Sequence, residues 1–256
     1  NAASFRARHR AKGLFADVYR RFALISAQDE QTAVHLRDLG ATVRVDGSLR
    51  PISPALQVDQ REFNTRKTEI GKRPVLCLAS SHPGDEKVAL AALGDLAPET
   101  LLIIVPRHVE RIAEITEKIQ SGGIPLSVGN APIQKTTRVH LVDQVGQLGL
   151  WYRLCSHTFI GGGFDNTQGH NPWEAVTLRR RVLHGPNTAN FKRDYENLNA
   201  LGIASQIANA ADLVASFDPT QFVLETKYLN LAVDQVVKDL DKLGQDIIAI
   251  MDSPRA

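Results

Sequence analysis

The sequence predicts an α/β protein built on a Rossmann-like, doubly wound parallel sheet. From residue 74 onward, short apolar runs such as Val75–Ala79 and Leu101–Val105 alternate with segments of helical length. This alternation favours parallel strands that helices cover on both faces. Polar or glycine-rich loops follow three of the strands, and sheets of this class bind ligands beyond the carboxyl ends of their strands.

Composition fits a globular protein and excludes several functional classes. The 256 residues are 43% hydrophobic and 23% charged, and the net charge of +2 does not indicate nucleic-acid binding. Cys77 and Cys155 lie in apolar contexts, which predicts buried thiols rather than a disulfide framework or a metal site. No apolar run has the length of a transmembrane helix, and no signal peptide is visible. Because the chain starts with Asn, we expect it to be a piece of a longer protein.

Residues 1–50 predict one βαβ-like unit. A helix over Asp29–Leu39 lies between a possible strand at 22–26 and a strand at Thr42–Val45. The start of the chain is basic, with arginines from Arg6 to Arg21 against a single acid. This cluster is either a solvated face or a surface that meets anionic lipid headgroups.

The remaining elements follow in order. Residues 51–73 predict a connection that contains one helix, and residues 226–256 predict a helical tail. Between them, over residues 74–225, the predicted strands are 75–79, 101–105, 126–128, 139–142, 158–160, 181–184 and 203–207. The predicted helices are 85–93, 109–120, 148–155, one that starts at Asn171, 191–201 and 210–216.

The loop after the strand at 158–160 predicts a nucleotide-phosphate site. Gly161, Gly162 and Gly163 permit a sharp turn and close approach to a ligand. Asn171 then suits an N-cap, and Glu174 falls at the third helical position. A helix N-terminus favours anions through its unpaired N–H groups and its dipole.

Two other loops carry candidate binding residues. Ser81 and His82 follow the first strand of the sheet, and Arg107 and His108 follow the second. Arg107 could bind a phosphate or form a structural ion pair with Glu110 or Glu86.

Five of the candidates have alternative roles. A loop histidine such as His82, His108 or His170 either binds a ligand or caps a carbonyl. Glu174 either completes a capping box with Asn171 or turns outward to ribose hydroxyls. Asn190 lies in a turn that could close over the ligand, although turn chemistry alone would explain it.

Six motifs, in this order, resemble the 3-deoxy-D-manno-octulosonic acid (Kdo) transferases, which are GT-B glycosyltransferases. They span residues 80–191 and are Ser80-Ser81-His82-x-Gly84-x-Glu86, Pro106-Arg107-His108-x-Glu110-Arg111, Gly146-x-Leu148-Gly149-Leu150-x-Tyr152, Phe159-Ile160-Gly161-Gly162, Gly169-His170-Asn171-Pro172-x-Glu174 and Gly185-Pro186-x-Thr188-x-Asn190-Phe191. Each motif alone is weak, and their combination is specific.

The resemblance implies a donor-binding role for this chain. Residues 74–225 would be the C-terminal domain that binds CMP-Kdo, without a metal or cofactor. Residues 1–50 would be the end of the N-terminal acceptor domain, and the tail from 226 would pack back toward that domain. The resemblance also implies transfer of Kdo to a lipid A precursor at the cytoplasmic face of the inner membrane in Gram-negative bacteria, with this chain soluble by itself.

The resemblance also has departures and alternatives. Gln147 stands where the family usually has an acid, and Gly163 to Thr167 depart from its usual apolar loop. No position matches the family's catalytic glutamate, so this chain is expected to bind nucleotide without catalysing transfer. The alternatives are a GT-B enzyme that uses a UDP-sugar and a non-catalytic nucleotide-binding module.

Overall fold

The computed structural model describes residues 8–220 and 223–252. Arg6 of the basic cluster lies outside these residues. Contacts divide the chain into two compact units, one within Asn1–Ser53 and Asn230–Ala256 and the other Pro54–Leu229. The domain bounds inferred from the resemblance stay a prediction.

The first unit contains a small parallel βαβ arrangement. Helix α1 (Lys12–Tyr19) comes first. Strand β1 (Ser26–Ala27) then pairs in parallel with strand β2 (Arg44–Val45), and helix α2 (Glu30–Asp38) connects the two strands. The long helix α10 (Thr226–Asp252) contributes to this unit from residue 230. Asp246 of α10 forms an ion pair with Arg44. Among the described residues, no helix is long and apolar enough to cross a membrane.

The second unit is a seven-stranded parallel sheet with helices around it. Its strands are β3 (Val75–Ser81), β4 (Leu101–Pro106), β5 (Leu126–Val128), β6 (Val139–Leu141), β7 (His157–Ile160), β8 (Arg181–His184) and β9 (Ala204–Gln206). Its helices are α3 (Gln60–Ile70), α4 (Pro83–Ala92), α5 (Ile112–Ser121), α6 (Leu148–Leu154), α7 (Trp173–Thr177), α8 (Lys192–Ala200) and α9 (Ala210–Ser216). It also has 3₁₀ turns at Val109–Arg111 and Ala189–Phe191, and the first unit has one at Arg50–Ile52.

The strand order β5-β6-β4-β3-β7-β8-β9 confirms the predicted fold class. The chain winds outward from β3 on one side of the sheet and then returns to lay β7 on its other side. The winding therefore reverses between β3 and β7, which is where ligands bind in such sheets. Alternate residues of β3, such as Leu76 and Leu78, pack with Ile104 and Ile115 in the core below one layer of helices.

Two local predictions differ from the structure. Helix α7 begins at Trp173, with Pro172 at its N-cap where Asn171 was predicted, and it has only five residues. The Asn171 side chain accepts the Trp173 N–H at 3.1 Å, so it caps the turn from one position further back. The helix expected from Val109 opens as a 3₁₀ turn and becomes α-helical at Ile112.

Close packing joins the carboxyl ends of β3 and β7. Ser80 has φ of 55° at a register irregularity of β3, so the strand bends at its end. A Cβ on Gly161 would lie 2.4 Å from the Ser80 carbonyl oxygen. Only glycine therefore fits at the end of β7.

Asp85 connects the loops after β3 and β7. Its carboxylate accepts the backbone N–H groups of His82 at 3.0 Å, Gly162 at 2.7 Å and Phe164 at 3.2 Å. The side chain is fully buried. Burial raises the pKa of Asp85 to about 6, although the three N–H donors act in the opposite direction.

We predict that Asp85→Asn lowers the free energy of unfolding by about 2 kcal/mol at pH 5, because an amide nitrogen cannot accept a backbone N–H bond, whereas both oxygens of a protonated carboxyl can. The carboxyl binds its proton more tightly in the folded protein than in the unfolded chain, so its favourable contribution is lost as pH rises through about 6. The stability difference between the two proteins should therefore narrow from pH 5 to pH 7. Urea denaturation at several pH values measures it.

The matched control is Asp95→Asn, since Asp95 is exposed. This substitution should change stability little at any pH. A difference between Asp85→Asn and the unsubstituted chain that widens with rising pH would show that the three N–H donors outweigh burial.

Candidate functional site

The candidate site lies at the carboxyl edge of the sheet, where the winding reverses. The loops after β3, β4 and β7 meet there and bring together most of the residues predicted from the sequence. Whether these residues hold a donor stays a prediction.

Most backbone N–H groups of the glycine loop are already bonded within the protein. Gly161 donates to the Ala79 carbonyl at 2.9 Å, and Gly162 donates to Asp85. Gly84, in the first turn of α4, donates to the Asp165 carboxylate at 3.0 Å. Internal carboxylates thus occupy positions at which we expected the anion of a ligand.

Close backbone packing requires glycine at position 163. A Cβ on Gly163 would lie 2.7 Å from the Gly185 backbone. The glycines at 161 and 163 therefore let three backbone segments approach one another closely.

Ser81 lies below the site. It is fully buried, and its hydroxyl donates to Glu86 Oε1 at 2.8 Å. Glu86 also accepts two hydrogen bonds of 2.9 Å from the Arg111 guanidinium. A two-pronged pair of this kind is strong and directional. It fixes the loop that carries His82 relative to the loop that carries Arg107.

Three histidines meet at the surface of the site. The Nε2 atoms of His82 and His170 lie 2.9 Å apart, and the two rings are nearly parallel. The His108 ring meets the His82 ring edge-on, with centroids 5.8 Å apart. His170 is half-buried, and burial, with a further contribution from His82 and Arg107, lowers its pKa to about 4. Both His82 and His170 are therefore neutral at pH 7.

Arg107 is the available cation of this cluster. The two acids that could have paired with Arg107 have other partners: Glu86 pairs with Arg111, and Glu110 lies 3.3 Å from His108. Among the described residues, the exposed Arg107 guanidinium forms no ion pair or side-chain hydrogen bond. Its charge acts on His170 and on Glu174, so it lies near both.

Glu174 does not complete a capping box. Among the hydrogen bonds of the described residues, it accepts none from the Asn171 backbone N–H, and the contact from Asn171 Nδ2 to Glu174 Oε1 is long at 3.5 Å. Burial raises the pKa of Glu174. Its carboxylate thus keeps most of its acceptor capacity.

Asn190 holds the glycine loop in place. Its side-chain amide donates to the Thr167 carbonyl at 2.9 Å, and its backbone N–H donates to the Gln168 carbonyl at 3.1 Å. Asn187 forms a similar bond to the Asp165 carbonyl. The turn after β8 therefore closes over the loop after β7.

Two residues that hold the loops of the site in place, Asp85 and Asp165, were not predicted from the sequence. Asp85 stands three residues after His82 with Pro83 between them, a spacing that indicates a side chain bonded to the N-cap backbone. No local signal indicates Asp165, because its partner Gly84 is 81 positions away.

Metal binding has little support in this geometry. In the described parts of the chain, no three His, Cys, Asp or Glu side chains form a group that could hold a metal ion. The expectation of a metal-free site stays a prediction.

Curated relatives match the chain over most of its length. It is 28% identical over 218 residues to the 3-deoxy-D-manno-octulosonic acid transferase of Rickettsia felis, a match that covers 82% of this chain and 47% of that protein. It is also 28% identical over 222 residues to the transferase of the same name from Haemophilus influenzae, covering 82% and 52%. The chain thus spans about half the length of these relatives. No protein-family model matches it.

Solved structures agree with these relatives. The C-terminal CMP-Kdo binding domain of WaaA from Acinetobacter baumannii superposes with a TM-score of 0.58 at 26% identity, covering 70% of this chain and 96% of that domain. Anabaena Alr3699/HepE in complex with UDP and glucose shares the fold, with a TM-score of 0.52 at 11% identity over 93% of this chain and 67% of that one. The resemblance predicted from the motifs is confirmed, and the chain is related to the Kdo transferases.

Proposed function

We propose that this chain is the donor-binding part of a Kdo transferase that moves Kdo from CMP-Kdo to a lipid A precursor. The observation that carries the proposal is the group of Arg107, His82, His170 and Glu174 at the reversal point of the sheet. It supplies the Arg107 cation for a phosphate, with two histidine rings beside it, and the Glu174 carboxylate for sugar hydroxyls.

In this proposal, side chains bind the phosphate anion. The N–H groups of Gly84 and Gly162 are bonded to Asp165 and Asp85. Arg107 would therefore bind the CMP phosphate and stabilise the charge that develops on it as the sugar departs. Glu174 would accept hydrogen bonds from the ribose hydroxyls.

The acceptor and the cellular location belong to the whole protein. By analogy with the family, the acceptor would be a lipid A precursor, and transfer would take place at the cytoplasmic face of the inner membrane of a Gram-negative bacterium. The base that deprotonates the acceptor is not assigned to any residue of this chain.

We predict that the chain binds CMP more tightly than UMP or UDP in isothermal titration. Arg107→Ala should weaken CMP binding about tenfold or more, because a charge-assisted hydrogen bond is lost, and should leave cytidine binding unchanged. Glu174→Gln should weaken CMP and cytidine alike, and it should weaken 2′-deoxy-CMP less, since one ribose hydroxyl is missing there.

The matched controls are Arg61→Ala and Glu117→Gln, which change exposed residues of α3 and α5. Both should bind CMP as the unsubstituted chain does. A preference for UDP would favour the rival GT-B enzyme with a UDP-sugar donor. A folded chain that binds none of the nucleotides would contradict the proposal.

We also predict no detectable Kdo transfer from CMP-Kdo to a lipid A precursor by this chain alone, because we expect the catalytic base to lie in the family's N-terminal domain. Addition of the family's N-terminal domain should restore transfer. Transfer by the chain alone would place the base within it. A full-length protein that binds CMP without turnover would favour a non-catalytic nucleotide-binding module.

A further inference from the structure

The hydrogen bond between His82 and His170 limits what the two rings can offer a ligand. Their Nε2 atoms lie 2.9 Å apart, and the ring planes differ by 14°. A neutral imidazole carries one N–H, so one Nε2 must donate and the other accept. In this state neither Nε2 has a proton available for an anion.

Charged neighbours determine how easily the pair gains a proton. Within the second unit, His82 faces His108 and Arg111, and it also faces the acids Asp165 and Glu86. His170 faces His82, His108 and Arg107. Burial lowers the pKa of His82 and, together with the nearby cations, lowers that of His170 to about 4. The ligand-free pair is thus neutral at physiological pH.

An anion would change this balance. A phosphate beside Arg107 brings negative charge next to both rings, and an opposite charge at short range raises a histidine pKa by about 1 to 3 units. Several backbone donors of the neighbouring loops are bonded to Asp85 and Asp165. Side chains are therefore the natural source of further donors for the phosphate.

We propose that His82 and His170 form a phosphate clamp that takes up a proton when nucleotide binds. One proton enters from solvent onto the accepting ring, the Nε2–Nε2 hydrogen bond breaks, and both Nε2–H groups then donate to phosphate oxygens. No covalent bond changes. The inference rests on the proposed function, since it places the nucleotide phosphate at this site.

Calorimetry of CMP binding to the full chain tests the clamp. Titrations at one pH in buffers of different ionisation enthalpy give the number of protons taken up. With the pKa of one ring raised to about 6 or 7, the unsubstituted chain should take up roughly half a proton more at pH 6 than chains that lack one of the two histidines, and no more than they do at pH 8. CMP itself loses phosphate charge below pH 7, so the affinity of the unsubstituted chain should fall less than theirs from pH 7 to pH 6, or should rise. Cytidine, which lacks the phosphate, should cause no uptake.

The variants His82→Gln and His170→Gln keep a polar side chain that cannot titrate. Below pH 7 they should bind CMP more weakly as pH falls, because a phosphate monoester with a second pKa of about 6 then loses charge. A smaller fall, or a rise, in the affinity of the unsubstituted chain over the same pH range identifies the histidines as the source of the uptake. His35→Gln, in the other compact unit, should behave like the unsubstituted chain.

Nuclear magnetic resonance titration of the histidine C2 protons supplies a second measurement that needs no variant. One of the two rings should titrate below pH 5 without CMP and near pH 6 to 7 with it. CMP binding with no proton uptake and no moved histidine pKa would overturn the clamp alone. Failure of the folded chain to bind CMP would overturn the clamp and the proposed function together.

Discussion

The carboxylate of Asp85 bonds to three backbone N–H groups that belong to two different loops. Each bond to a charged acceptor contributes about 1.5 to 3 kcal/mol, and together they reduce the cost of burying the carboxyl without removing it, since its pKa stays raised. The positions of His82 and Gly162 are consequently linked. Together with the pairing of β3 and β7, this link sets the spacing of the two loops at the point where the sheet reverses.

A second buried carboxylate extends the same arrangement to the loop after β4. Glu86 is 1% exposed and binds both the Ser81 hydroxyl and the Arg111 guanidinium. A buried acid with these partners is held firmly, because loss of the cation would leave its charge uncompensated. Adjacent acids in the first turn of α4 therefore hold two neighbouring loops, and the exposed side chains of the site rest on this support.

The sequence predicted the sheet well and the contacts of the site less well. Strands such as Leu126–Val128 and Arg181–His184 agree to the residue, since buried apolar runs between turn residues define them. Packing of Gly161 on Ser80 and of Gly163 on Gly185 requires glycine at both positions, a constraint that the sequence did not indicate, and their contact with a ligand stays a prediction. Contacts that join residues some 80 positions apart, such as His82 with His170, leave no local pattern in a single sequence.

The internal carboxylates also determine how this site can recognise an anion. In many phosphate sites, backbone N–H groups at a glycine loop and a helix N-terminus provide fixed donors that do not titrate. Here Asp85 and Asp165 already accept several of these donors, so in the proposed site recognition would depend on Arg107 and on histidines. Arginine supplies a constant charge, whereas histidine supplies donors only in proportion to its protonation. The proposed site would therefore couple the affinity for a phosphate to pH, and the coupling would arise from two aspartates that do not themselves need to contact the ligand.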